Sequence, residues 1–159
     1  MSHDLAPPLK QQFATYNDLL SSLYAHAKAY SYAVAVGRSK QNKKREMKIY
    51  YLQCIKSGKV HDRVTDWLKP LISQKTECPF CCQAQYSNDI WILTIDEPSH
   101  NHESEEPIFH HQHRVFPDHI KGQVASMSRA GITPKQIASV ISQSYPEQIW
   151  KMQDIYNIR

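Results

Sequence analysis

The stretch "ECPFCCQAQYSNDIW", Glu77 to Trp91, holds three of the chain's four cysteines, Cys78, Cys81 and Cys82, and its reading decides the fold. As a C-x2-C knuckle, Cys78 and Cys81 would supply two ligands of a metal site from one turn. As a β-strand opened by "CPF", the same residues separate: Cys78, Phe80, Cys82 and Ala84 share one face, while Cys81, Gln83 and Gln85 point the other way. A knuckle turn ordinarily takes Gly or a polar residue, whereas Pro79 and Phe80 suit the start of a strand. The strand reading makes Cys78 a ligand, turns Cys81 outward and packs Cys82 as a small hydrophobe. The knuckle remains its competitor. A thioredoxin-like redox role is disfavoured, because it needs C-x2-C at the head of a helix in a βαβ setting.

Outward from this stretch the pattern stays β-like. "SND" reads as a turn into a further strand, "DIWILTID". Upstream, "YSYAVAVGR" alternates Tyr30, Tyr32, Val34 and Val36 against smaller residues, and the basic turn "SKQNKKRE" leads into "MKIYYLQCI", rich in β-formers. Residues 56–77 are expected to form a short helix or loop packed by Trp67. Before the first strand, Tyr16, Leu19, Leu20, Leu23, Tyr24 and Ala27 recur at helical spacing, with Thr15 as N-cap and an acid three residues on. This predicts an amphipathic helix ending near Tyr30 that covers one face of the sheet. Residues 1–12, with Pro7 and Pro8, read as a flexible leader.

Beyond the strands, "ESEEPIFHHQHR" reads as a polar linker over 105–115. The helical period then returns over 116–159. Pro117 opens a helix with Ile120, Val124 and Met127 on one face and Gly131 as its stop. Thr133, Pro134 and Gln136 begin a second helix with Ile137, Val140 and Ile141 inward, and "KMQDIYNIR" begins a third. The expected fold class is α+β: a small four-stranded antiparallel sheet over 13–104 with a metal site at its edge and an N-terminal helix, then a short helix-turn-helix-like segment whose abrupt end reads as truncation.

A sheet of about 70 residues is too small to be held by its apolar core alone, and a metal ion would supply the shortfall. The candidate donors are Cys54, Cys78, His100 and His102, spaced C-x23-C-x21-H-x-H. In extended backbone alternate side chains share a face, so the H-x-H pair presents both imidazoles to one side. A sheet whose second strand ends, third begins and fourth ends at one edge brings all four donors together there. His110, His111 and His113 could also bind metal, but exposed linker histidines ordinarily bind nothing.

The chain has 159 residues and a formal charge of +4, unevenly placed. Between Ser31 and Phe80 lie eleven Lys or Arg against four acids, a local net of +7. A strip of this kind is the electrostatic footprint of a protein that meets polyphosphate. No apolar run approaches the ~20 residues of a membrane span, so no membrane partner is expected. Four cysteines without a secretory leader read as thiolates for metal rather than disulfides, which favours cytosol or nucleus.

Taken together, "YYLQC", "ECPF" and "HNHE" resemble the zinc framework of the WRKY and glial-cells-missing superfamily, in which a strand ends in the first Cys, "CP" opens the next and H-x-H closes the site. The chain is most similar to the far-red-impaired-response type of DNA-binding domain of Mutator-like transposases and the transcription factors derived from them. There too a helix precedes a strand ending in basic residues like "VGRSKQNKKRE". "GITPKQI" followed by "DIYNIR" is similar to the helical segment of fungal members. The chain departs from the pattern in Cys81 and Cys82, and it lacks the WRKYGQK heptapeptide, so the WRKY base preference does not carry over.

The resemblance implies one structural Zn2+ held by Cys54, Cys78, His100 and His102. It implies sequence-specific binding of double-stranded DNA by a strand edge in the major groove, in the nucleus, with no catalysis by this chain. Arg38, Ser39 and Lys40 lie on the strand that would meet the bases. Lys43, Lys44, Arg45, Lys48, Lys56, Lys59, Arg63 and Lys75 would hold phosphates, which fix position without reading sequence. The alternative is a zinc-stapled protein-interaction domain whose basic strip meets an acidic partner. The C-terminal helices are expected to serve a protein partner or self-association.

Overall fold

The computed structural model describes residues 8–9, 11–42, 47–59 and 74–158. The expected helix or loop around Trp67, and the side chains of Lys43, Lys44, Arg45 and Arg63, lie outside the described residues. The chain divides into two compact units, Met1–Glu105 and Glu106–Arg159.

The first unit begins with β1 (Gln12–Phe13) and α1 (Tyr16–Ala29), followed by β2 (Val34–Gln41), β3 (Met47–Cys54), β4 (Cys81–Ser87) and β5 (Ile90–Glu97). Thr15 caps α1, accepting the Asp18 N–H at 3.1 Å, as the spacing of Thr and acid predicts. The strands form one antiparallel sheet in the order β1-β5-β4-β3-β2. The expected four strands are therefore five. The fifth is the two-residue β1, in which Gln12 pairs with Ile92 and Phe13 with Trp91. So short a strand has no period to recognise, and Gln12 falls inside what reads as leader. At the β4–β5 turn Asn88 and Asp89 both take positive φ, 52° and 61°, the left-handed pair that a two-residue hairpin requires.

The core lies between α1 and one face of the sheet. Leu19, Leu23 and Ala27 pack on Tyr32, Val34, Leu52, Cys82, Ala84 and Leu93, all buried. Alternation fails in β2 after Val34: the next seven residues are exposed, Val36 among them. The cause is its place at the sheet edge together with a bulge between Val36 and Arg38, where Val36 pairs with Leu52 but Arg38 pairs with Tyr51. The extra residue, Gly37, moves Arg38 and Lys40 to the open face instead of letting them follow Val34 inward.

The second unit starts with two 3-10 turns, Pro107–Phe109 and His111–Arg114, where the sequence suggests an unstructured linker. It continues as α2 (Asp118–Arg129), α3 (Pro134–Ser144) and α4 (Met152–Ile158). Gly131, at φ +81°, makes the turn between α2 and α3, and the Thr133 N–H donates to Gln136 Oε1 at 3.1 Å. Ile120, Val124, Ile137, Ile141 and Ile155 form the core with Phe116. Val140, expected inward, faces out at 37% exposure and Ala138 takes the buried position. The helical period places both near the apolar stripe, and Ala138 joins the core cluster. Arg114 and Asp154 form a buried ion pair, Nε to Oδ2 2.9 Å. No described helix is long and apolar enough to cross a membrane.

Candidate metal centre

β3 ends, β4 begins and β5 ends at the same edge of the sheet, and the loops leaving them bring Cys54, Cys78, His100 and His102 together. One ligand atom from each lies within 4.8 Å of all the others. Cys54 Sγ is 3.2 Å from His102 Nε2, Cys78 Sγ is 3.4 Å from His100 Nδ1, and the two imidazole nitrogens are 3.3 Å apart. A tetrahedral ion bonded at about 2.0 Å to nitrogen and about 2.3 Å to sulfur needs donors about 3.3–3.8 Å apart. Three of the separations, 3.2–3.4 Å, are close to that spacing, and the two sulfurs and two nitrogens all lie within 4.8 Å of one another.

Each donor is held from behind. The turn after β3 ties back on itself, with the Ser57 N–H donating to Cys54 O at 2.9 Å and the Lys56 N–H to Cys54 Sγ at 3.4 Å. Cys54 N–H in turn donates to Phe80 O, and Ser57 Oγ donates to Cys78 O at 2.6 Å, so the two sulfur-bearing segments are joined directly. The His102 Nδ1–H to Glu103 O contact, 2.8 Å, places the proton on Nδ1 and leaves the Nε2 lone pair facing the sulfurs. His100 is wedged by rings: Phe80 stacks on it at 4.4 Å between centroids and Tyr32 tilts against it at 4.7 Å. Asn101, between the two histidines, reaches across the loop. Its Nδ2 donates to Thr76 O at 2.6 Å and its Oδ1 accepts from Thr76 Oγ1 at 2.9 Å, clamping the H-x-H segment to the residues that lead into Cys78.

The electrostatics call for a cation. Burial pushes the Cys54 thiol up to about 12 against the pull of the Lys56 N–H, with Cys78 beside it adding to the rise. Burial and His102 hold His100 down to about 4, so its imidazole is neutral and its lone pair free to ligate. Both sulfurs are free thiols, not a disulfide. The four side chains converge on one point, with the sulfurs in contact with the imidazole nitrogens. Such a donor set can hold a divalent ion, beside whose charge thiolates become favourable.

Cys81, the other half of the knuckle, is not in the cluster. It pairs with Gln53 and Glu97 on the open face, while Cys82, fully buried, pairs with Leu52 and Ile95 on the α1 side. β4 begins at Cys81 rather than Cys78, yet the alternation expected from Cys78 onward persists into the buried Phe80, Cys82 and Ala84.

The basic residues fall into distinct settings. Arg38, Ser39 and Lys40 are exposed on β2, running away from the ligand end of the sheet toward Gln41. Lys48 sits with its ammonium 4.5 Å from the Tyr86 ring centroid, and Lys59 is exposed. Lys56 is 8% exposed and paired to Glu105 at 2.6 Å, and Lys75 donates to Ile55 O at 2.7 Å. These last two, expected on phosphates from the resemblance, hold the ligand loops. Pairing with an acid nearly fifty positions away leaves no trace in a count of cations. In the second unit His110 and His113 are buried, with rings perpendicular at 5.5 Å, rather than exposed in a linker.

No model of a known protein family, no curated protein and no solved structure matches this chain.

Proposed function

We propose that the first unit is a zinc-stabilised module that binds double-stranded DNA through its β2 edge. Zinc is the ion whose preferences match a closed tetrahedral set of two thiolates and two imidazoles, and a closed set leaves no position for a substrate water. Bound there, the ion supplies cross-linking charge and no reaction chemistry. What carries the reading is the pairing of that clamp with an exposed edge strand bearing Arg38 and Lys40. A two-stranded ribbon fits the major groove, and an arginine there can grip guanine O6 and N7 together. Arg38 and Lys40 are the proposed base readers. Lys59, Lys48 and the basic residues Lys43, Lys44 and Arg45 before β3 are the proposed phosphate contacts. The resemblance carries this further, to a nuclear transcription factor or the targeting module of a Mutator-like transposase.

Selection of duplexes from a random pool, repeated after chelation, tests the reading. The expected result is enrichment of one motif, loss of binding with chelator and a log–log salt slope of about −0.9 per neutralised phosphate. Substituting Arg38→Ala should relax preference at one base pair, and Lys59→Ala should weaken all sequences alike. Absence of any enrichment, with an acidic protein captured instead, would favour the interaction-domain alternative.

A further inference from the structure

The geometry points to Tyr51 as a positioning residue that orients Arg38 and Lys40 for base reading, an inference that rests on the DNA-binding proposal above. Tyr51 stands on β3, on the sheet face that α1 does not cover. Its ring centroid lies 4.2 Å from the Arg38 guanidinium carbon and 5.5 Å from the Lys40 ammonium. Arg38 is its direct cross-strand partner and Lys40 its diagonal one, because Lys40 pairs with Ile49 two residues along. The bulge at Gly37 makes this possible. Without it Arg38 would continue the Val34 and Val36 alternation onto the face where Leu52 is buried.

Long cationic side chains on an exposed edge strand sample many rotamers, and each must be ordered when a base is gripped. A ring beneath them narrows that choice before DNA arrives. A guanidinium plane stacks well on an aromatic face, and the attraction survives exposure because it is local. The half-buried Tyr51 is fixed by its own strand pairing to Gln83 in β4, so the platform is more rigid than what it carries. One ring under two cations also couples them: the chain presents Arg38 and Lys40 as a unit suited to adjacent acceptors, as on the edge of a guanine and its neighbour.

The test uses the full chain loaded with zinc and two duplexes, the selected motif and a scrambled one, against the variants Tyr51→Phe, Tyr51→Thr and Arg38→Ala. Tyr51→Phe should keep the preference for the motif within about twofold, since the ring face remains. Tyr51→Thr, which retains a strand-forming residue, should lower that preference about three- to tenfold, leaving the scrambled duplex and the salt slope nearly unchanged. Combined with Arg38→Ala its effect should be smaller than in the original chain, because the two changes share the Arg38 contact and only the Lys40 contact is left for Tyr51→Thr to remove. In the free protein, ring-current shifts of the Arg38 side-chain protons should be present in the original chain and in Tyr51→Phe and lost in Tyr51→Thr. Full preference in Tyr51→Thr, or an equal loss on both duplexes, overturns the inference while leaving DNA binding intact. Ring-current shifts absent from the original chain overturn it too, even where Tyr51→Thr does not fold. If the original chain binds neither duplex, it is the DNA reading that falls.

Discussion

Leu52 in the sheet unit and Ile137 in the helical unit are both fully buried, yet the structures around them are held in different ways. Around Ile137 the contacts are short-range. α2, α3 and α4 follow one another through links of four and seven residues, and a partly buried Arg114–Asp154 pair, 40 residues apart in the chain, adds a longer tie from the segment before α2 to α4. Around Leu52 the strands come from distant parts of the chain, with 26 residues between the end of β3 and the start of β4. Closing such a loop costs entropy that a thin, half-covered sheet recovers poorly. The four-donor cluster sits where that closure must be made, joining the residues on either side of the long loop to the end of β5. A small helical unit can lean on local pairing. A small sheet with remote strands needs a cross-link.

The sharpest way to break this comparison is to remove the cross-link. Chelation, or Cys54→Ser, is expected to unfold the sheet unit cooperatively while the helical unit stays folded. Two-dimensional NMR would read this as collapse of the Leu19, Leu52 and Leu93 methyl signals with those of Val124, Ile137 and Ile141 retained. Loss of both sets together would show that the helical unit depends on the metal, contrary to the contrast drawn here.

Next in size is the helical unit's own fastener. Burial alone would raise the Asp154 carboxyl, but the Arg114 hydrogen bond, the Lys151 N–H and the Arg114 charge together hold it below the ordinary aspartate range. Asp154→Ala strands Arg114, whose side chain is 12% exposed, without its partner. The expected destabilisation is about 3–5 kcal/mol, confined to the helical signals in a denaturant titration. Acid acts in the same direction. A carboxyl with a lowered folded pKa contributes its full stability above the unfolded value, and that contribution disappears as pH falls through the lowered one. Asp154's contribution to helical-unit stability should therefore hold from neutral pH down to the ordinary aspartate value and be lost below it, so the acid-side slope should be shallower in Asp154→Ala.

The same contrast explains what the sequence could and could not tell. Periodicity is a local signal, so α1, the four longer strands and the three C-terminal helices were legible, as was the placement of Cys54, Cys78, His100 and His102 at converging strand ends. Partnerships across long separations were not. Arg114 in "HHQHR" looks like linker charge until α4 brings Asp154 against it 40 residues later. Lys56 looks like part of a basic strip until Glu105 meets it, and Gln12 looks like leader until β5 offers an edge. Val140 shares the helical period with residues that are buried, yet it faces out.

Asn101 refines the cross-link without removing it. Its two hydrogen bonds to Thr76 join the histidine loop to the segment before Cys78, so Asn101→Ala should leave the ligand set intact but less well placed. A loss of about tenfold in metal affinity is expected, at the lower end of what outer-shell partners of metal ligands contribute. Competition against a chromogenic chelator measures it. Unchanged affinity would mean that the strand ends alone position the four donors.

The smallest expected effect bears on the two readings of "CPFC". Cys81 is half-buried on the open face, paired across to Glu97, and burial together with the neighbouring Asp96 raises its thiol above the ordinary cysteine range. A thiol so placed stays protonated at neutral pH and has no part in the cluster, so Cys81→Ser should keep one ion per chain and change stability by no more than about 0.5 kcal/mol, as surface substitutions do. Cobalt substitution makes the comparison direct, since the thiolate-to-cobalt absorption scales with the number of coordinating sulfurs. Cys81→Ser should match the original chain, and Cys78→Ser should lose roughly half that intensity if it still binds the ion. A drop in Cys81→Ser would place the second sulfur in the knuckle, with the strand face of β4 no longer deciding which cysteine meets the metal.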